Sequence, residues 1–402
     1  MPGIGISNAI PFNKGVSWSS YWKTRNPTLL NVTGMRDTEI DFAWTDNSAG
    51  DCSFAIYRST DGVTYTGVGT TVAGDTTYTA TGLTAGVLYY FYVVGVKEAN
   101  ESDPTNIYDT RFKITVDTTK AGSAADTFVL PTTGGGYNAY VDWGDGGAEQ
   151  NITGTPGAVS HTYATSGTYQ IKVRGTFPRI YFNNAGDKAK LITIDNWGNI
   201  KWSSMSYAFR GASNMQGAWL DVPNMTAAAF NMDYMFSSCS IFDYEVSGFN
   251  TSAVTTMIGV FDGAVKFNKS INNWNTSNVT SMKYMFVNCA LYNQPMSGLN
   301  TSKVKDFMGM FLNCKGFKQS IASFSLAAAV NLNDMLNGCN INATGTTTNY
   351  DATLIAWAAQ TVKPNVNFHG GTSKYSSGAA ATARGVLTSA PNSWTITDGG
   401  QI

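Results

Sequence analysis

Charge is scarce in this chain. Lys, Arg, Asp and Glu make up 13% of its 402 residues, about half the usual share in a soluble domain. The formal net charge is −1 and no basic run occurs. The cationic surface that nucleic acid requires is therefore missing, and so is a polybasic membrane patch. No stretch of about 18 consecutive apolar residues exists to span a membrane. The start Met1-Pro2-Gly3-Ile4-Gly5-Ile6 lacks a basic n-region and a sustained apolar run, so no secretory signal is expected. Histidine occurs twice, at His161 and His369, in different parts of the chain. There is no Ser-His-Asp arrangement, phosphate loop or dinucleotide fingerprint. Gly134-Gly135-Gly136 follows Pro131, precedes a strand pattern and reads as a turn. The five cysteines, an odd number, argue against a full disulfide framework. No cofactor and no metal is expected. A glycoside hydrolase needs only two carboxylates, so that chemistry stays open as a second alternative. The acids of the repetitive region, Asp233, Asp262, Asp306 and Asp334, are nevertheless isolated, and the chain is read as a non-enzyme.

Apolar and small polar residues are abundant instead. Hydrophobic residues make up 43% and aromatics 13%, enough for several cores, while Thr, Ser, Asn and Gly supply the polarity. The loudest pattern is a 25-residue period. Phe236, Phe261, Phe286, Phe311 and Leu336 form one row. Met232, Met257, Met282, Phe307 and Leu332 form another, and Phe242, Phe267, Tyr292 and Phe317 a third. Asn-Thr-Ser recurs at Asn250, Asn275 and Asn300 and reads as turn chemistry. A unit of this length cannot bury its apolar face alone, so neighbouring units must stack.

Within one unit Met282, Met285, Phe286 and Cys289 stand at i, i+3, i+4 and i+7, which predicts two helical turns followed by an extended piece. Cys239, Cys289, Cys314 and Cys339 share a row with Ala264. Small buried side chains suit a stacked interior, and a metal site is the alternative. The stretch from Trp274 to Cys289 resembles the BspA-type leucine-rich repeats of bacterial surface proteins, over residues 178–342. That resemblance implies a solenoid used in adhesion. The positions between apolar anchors are the ligand candidates: Asp233, Tyr234, Lys283 and Tyr284. The alternative for each is an ordinary solvated surface.

Upstream, Ile40–Trp44 and Phe54–Tyr57 alternate with period two, and Asp61-Gly62 marks a hairpin. Together with Thr81–Tyr90 and Tyr89–Val93 they resemble the fibronectin type III pattern across 26–109, which implies a seven-stranded sandwich. Tyr140–Gly146, His161-Thr162-Tyr163 and Gly167–Val173 are similar to the PKD domain, placing a second sandwich at 110–177. In that resemblance Asp142 and Asp145 shape a turn; a metal or catalytic carboxylate pair is the alternative. Residues 1–25 hold Trp18, Tyr21 and Trp22. They read either as an arm packed on the next domain or as an anchor into a larger assembly.

Residues 343–402 are expected to cap the repeat, with a helix over Asp351–Ala359 and a strand over Trp394–Thr397. The fold class is thus multidomain: two all-β immunoglobulin-like sandwiches, then an α/β leucine-rich-repeat solenoid of 25-residue period with a C-terminal cap. Modules of extracellular type without an export signal fit a phage virion surface or fibre protein. The N-terminal residues also resemble those of phage and prophage proteins of Bacteroidota. Its expected partners are other virion proteins through the N-terminal arm and a host-surface glycan or protein, with neither nucleic acid nor membrane insertion. A homo-oligomer is expected by analogy with fibres. A bacterial cell-surface adhesin is the alternative.

Overall fold

The computed structural model describes residues 21–22 and 25–402. They divide into two compact units. One contains the described chain up to Thr33 with Ile40–Thr81 and Tyr89–Asp109, and the other contains Gly34–Glu39, Gly82–Leu88 and Thr110–Ile402.

The first unit is built from β1 (Thr28–Met35), β2 (Ile40–Thr45), β3 (Ser53–Ser59), β4 (Thr66–Thr70), β5 (Thr77–Ala80), β6 (Tyr90–Lys97), β7 (Asn100–Glu101) and β8 (Tyr108–Asp109). One sheet runs β1-β2-β5 and the other β4-β3-β6-β7, with β8 also on β6. Alternation does the work expected of it. Ile40, Phe42 and Trp44 face inward from β2 and meet Phe54, Phe91 and Tyr108. The last strand is split into β7 and β8. Pro104 lies between them and has no N–H to donate to β6. The Asp61-Gly62 signal falls in the β3–β4 loop, where the Asp61 carboxylate accepts the N–H groups of Val63 and Thr64.

The second unit opens with β9 (Phe112–Asp117), β10 (Thr127–Leu130), β11 (Tyr137–Asp142), β12 (Gln150–Gly154), β13 (Val159–Thr162) and β14 (Thr168–Thr176). β10 pairs with β13. The other sheet runs β12-β11-β14-β9 and continues into β15 (Leu191–Asn196) and β16 (Gln216–Gly217). β15 is antiparallel to β9 but parallel to β16. The sheet of the sandwich therefore becomes the first rung of the repetitive region. A single core runs from Phe112 to Trp394, so residues 110–177, 178–342 and 343–402 share one interior.

The repeat is not helical, and here the sequence expectation is corrected. Met282, Tyr284, Phe286 and Asn288 donate their N–H groups to Asp306, Met308, Met310 and Leu312 of the next coil, at 2.8–3.0 Å. The intervening Met285, Val287 and Cys289 donate three residues back, to Met282, Tyr284 and Phe286. Two residues of each coil, such as Tyr284 (φ 58°) and Asn288 (φ 57°), adopt left-handed backbone. That conformation ends a right-handed helix after one turn. Tight turns and helical turns both place i, i+3, i+4 and i+7 on one side, so the apolar spacing did not distinguish them.

Stacking then follows the rows. Phe236, Phe261, Phe286 and Phe311 stack with centroids 5.5–5.9 Å apart. Phe267 stacks on Tyr292 at 5.9 Å and Tyr292 on Phe317 at 6.1 Å. The Asn-Thr-Ser steps divide their labour. The carboxamide of Asn275 accepts the Ser277 N–H and hydroxyl, closing the turn. The buried hydroxyl of Thr276 donates to the Asn300 carbonyl of the next coil at 2.9 Å. Thr251 and Thr301 do the same one coil either side.

The array ends in α1 (Thr348–Ala358), β19 (Asn367–His369), α2 (Ala379–Thr388) and β20 (Thr395–Thr397); β17 (Phe230–Asn231) and β18 (Val254–Thr256) lie within it. α1 starts three residues before Asp351, which lies in its first turn and accepts the Thr347 hydroxyl at 2.7 Å. Leu332 bridges to Phe368, and β19 pairs in parallel with β20, so the cap prolongs the ladder. No helix among the described residues is long and apolar enough to cross a membrane.

Candidate functional site

Two outward columns of side chains run along the coils. Residues 233, 258, 283, 308 and 333 form one, and residues 234, 259, 284, 309 and 334 the other, as the coil-to-coil bonds from Tyr234 to Ile258, Gly259 to Lys283, Tyr284 to Met308 and Gly309 to Asn333 require. All four ligand candidates fall in these columns. Asp233 and Tyr234 share one coil, and Lys283 and Tyr284 share another two coils away.

Their chemistry differs. The Asp233 carboxylate is taken up by the ladder: it accepts the Ile258 N–H at 2.8 Å and the Thr256 hydroxyl at 2.7 Å, with Asn231 donating at 3.1 Å. It fastens one coil to the next. Tyr234 stacks on Tyr207 at 5.1 Å, and the Arg210 guanidinium stands 5.2 Å from its centroid. Burial raises the Tyr234 phenol above its ordinary pKa. Nearby, burial also raises the Asp262 carboxyl, and Arg210 works against that rise. The Lys283 ammonium sits 4.8 Å from the Tyr284 ring centroid, while the Tyr284 hydroxyl donates to the Met308 sulfur at 3.5 Å.

The tyrosines alternate with glycines for a steric reason. A Cβ on Gly259 would stand 2.4 Å from the Tyr234 ring, and one on Gly309 2.7 Å from the Tyr284 ring. Each ring thus lies on the bare backbone of the following coil.

At their C-terminal end the columns run into a cleft of about 390 Å³ lined by Met308, Asn333, Asp334, His369, Thr395 and Thr397, with Phe368 at its base. His369 and Thr397 prolong the column of Met308 and Asn333, one position past the Leu332–Phe368 bridge. Sequence reasoning missed this cleft because the step there changes from 25 residues to 36 and then 28. The regular row broke at the place where the polar groups gather.

Asp142 and Asp145 shape the turn around Trp143, and they do not converge. Asp142 accepts the Gly144 N–H at 2.9 Å and pairs with Lys172 at 3.3 Å. Asp145 meets His161 at 2.7 Å, and that imidazole stacks on Trp143. The row cysteines donate to backbone carbonyls: Cys289 to Phe261 at 2.9 Å, Cys314 to Cys289 at 2.9 Å and Cys339 to Phe311 at 2.7 Å. Burial pushes the Cys339 thiol up to about 12.

Comparison with known proteins assigns part of this chain. Residues 25–111 match the fibronectin type III domain model. Residues 25–111 are a fibronectin type III domain. Residues 179–257 and 230–350 match a family described as "Mycoplasma protein of unknown function, DUF285". Among solved structures, a fibronectin-like protein from Clostridium thermocellum is 25% identical, covering 21% of this chain and 91% of its own, with a TM-score of 0.19. A two-domain fibronectin type III segment of chicken tenascin is 17% identical, covering 37% and 92%, at a TM-score of 0.20. A titin fragment is 18% identical over 21% of this chain, at a TM-score of 0.19; the chain spans 31% of that fragment. No curated protein matches the chain.

On the fibronectin type III domain lie two of the three anchoring candidates. Tyr21 and Trp22 are buried with Cys52. The Tyr21 hydroxyl meets the Cys52 sulfur at 3.4 Å, and Trp22 lies against Gly95. Burial, with Cys52 beside it, pushes the Tyr21 phenol up to about 12. These two rings pack beside Cys52. Trp18 lies outside the described residues.

Proposed function

We propose that the chain is a surface-displayed adhesion protein, a binder and not an enzyme, which presents the outer columns of its coil array to another surface. The observation that carries this reading is the pair of columns from Asp233–Tyr234 to Asn333–Asp334. The first sets a side chain on every rung, about 4.8 Å apart, and the second a tyrosine on alternate rungs as far as Asp334, along an array in one chain with a fibronectin type III domain. A repeated, evenly spaced face of this kind suits many weak contacts made together.

In its finer form the proposal places the protein on a phage virion, docked through its N-terminal residues to other virion proteins. The cysteines support that form. All five are free and buried, and the row thiols are already engaged with carbonyls. Folding needs no oxidising compartment, as suits a protein assembled in a reducing cytoplasm and released by lysis. Cryo-electron microscopy of purified particles from the source, with mass spectrometry on the same sample, tests it. The chain at defined symmetric positions with the array outward is expected. Its presence on intact cells and absence from particles would favour the bacterial adhesin instead.

A further inference from the structure

The cleft at the end of the columns has a chemistry of its own. Its wall combines the carboxamides of Asn333 and Asn367, the carboxylate of Asp334, the imidazole of His369 and the hydroxyls of Thr395 and Thr397. Acceptors and donors are interleaved, and no Lys or Arg lines it. Several of these groups have capacity to spare. Asn337 donates to one oxygen of Asp334 at 3.0 Å, and the other oxygen has no bonded partner among the described residues. His369 Nδ1 accepts the Gly371 N–H at 3.1 Å, which fixes the tautomer and leaves Nε2–H as a donor. Asn333, Asn367, Thr395 and Thr397 are exposed. Met308 and Phe368 add an apolar patch.

The cleft has no cation to offset an anion beside Asp334, and among the described residues no group of three acidic, histidine or cysteine side chains gathers to hold a metal ion, so its interleaved donors and acceptors suit a neutral ligand. It must offer many groups that both donate and accept, together with an apolar C–H face. At about 390 Å³ the space falls within the range of small-molecule sites, about 300–1,000 Å³. We propose that the cleft formed by Asn333, Asp334, His369 and Thr397 binds a neutral oligosaccharide. This deepens the adhesion reading and rests on it, naming the ligand class and the end of the array that takes it.

The full chain would be titrated calorimetrically with neutral gluco-, manno- and galacto-oligosaccharides, and with oligogalacturonate as the charged comparator. At least one neutral series is expected to bind, with oligogalacturonate at least tenfold weaker. Asn333→Ala and Thr397→Ala should each weaken binding at least tenfold with an unchanged melting temperature, and Thr397→Ser should restore it. No binding by any neutral series, equal binding of the charged comparator, or variants that bind like the parent would each overturn the proposal. Binding to intact bacterial cells separates the two readings. A parent chain that binds no cells sinks the adhesion reading, whereas parent and variants that bind cells equally sink only this site.

Discussion

The ring of Tyr284 lies against Gly309, 25 residues further on, so closely that a Cβ there would stand 2.7 Å from the ring. Gly309 also has a φ of 57°. Gly309→Ala is therefore expected to destabilise the second unit twice over, by about 1–2 kcal/mol for the left-handed backbone and by a further overpacking cost of about 1–3 kcal/mol. Adding Tyr284→Ala should recover the second part and leave the first. Urea denaturation of the double-mutant cycle checks this; simple additivity would show that the ring does not press on the glycine.

Thr276→Val keeps the shape of a buried side chain and removes the hydroxyl that reaches the Asn300 carbonyl. Losing a hydrogen bond of this kind costs about 0.5–1.5 kcal/mol. The midpoint of unfolding should fall accordingly, while Thr276→Ser should lose much less. Equal losses in both variants would assign the role to the methyl group.

Lys190 is fully buried, and its ammonium donates to the carbonyls of Ser123, Ala124 and Thr127 and to the Ser123 hydroxyl. Asp187, from the same turn, accepts the N–H groups of Ser123 and Val129. Lys190→Met should be destabilising, by about 1.5–3 kcal/mol for a hydrogen bond to a charged group that is lost without replacement. Hydrogen exchange should rise across Ser123–Val129 first. Unchanged protection there would mean that the lysine is not what holds this loop.

Alkali should destabilise the second unit through its thiols. Burial raises the pKa of Cys239, Cys289, Cys314 and Cys339 in the folded chain. Above about pH 8.5 the unfolded chain loses these protons while the folded chain keeps them. Stability is thus full below that pH and falls as pH rises toward about 12, where Cys339 titrates. Each thiol contributes a slope of about 1.4 kcal/mol per pH unit. Replacing Cys314 with Ala should flatten the profile by one such step. Native thiols should also resist iodoacetamide at pH 8; rapid labelling would contradict their burial.

The sequence showed the rows because burial depends on periodicity. Phe236, Phe261, Phe286 and Phe311 recur at 25 and are all buried. The first sandwich was equally plain in the alternation of Ile40, Phe42 and Trp44. The backbone between anchors was not, because helical turns and tight turns share the spacing of Met282, Met285, Phe286 and Cys289. The distinguishing signal lay in an unread row, Gly211, Ser238, Gly263, Asn288, Asn313 and Gly338, whose members all take positive φ. α2 escaped notice because Ala379–Thr388 buries only Ala380, Ala383 and Leu387, too few apolar side chains to trace a stripe. Asp233 looked exposed because sequence gives no view of the neighbouring coil whose N–H it accepts. The cleft was hidden because β19 and β20 come from beyond the repeat.

Successive coils exchange N–H groups through the same backbone positions each time, Tyr284 donating forward to Met308 while Thr280 and Lys305 donate back to Thr255 and Thr280, so the backbone joint between interior coils is a repeated part. Removing or adding 25 residues would move the cap by one rung and leave each apolar row, threonine clamp and left-handed turn matched to its neighbour. Unequal exchange between the copies in the gene can therefore alter the reach of the protein in whole steps, carrying the terminal cleft nearer or farther without redesigning it.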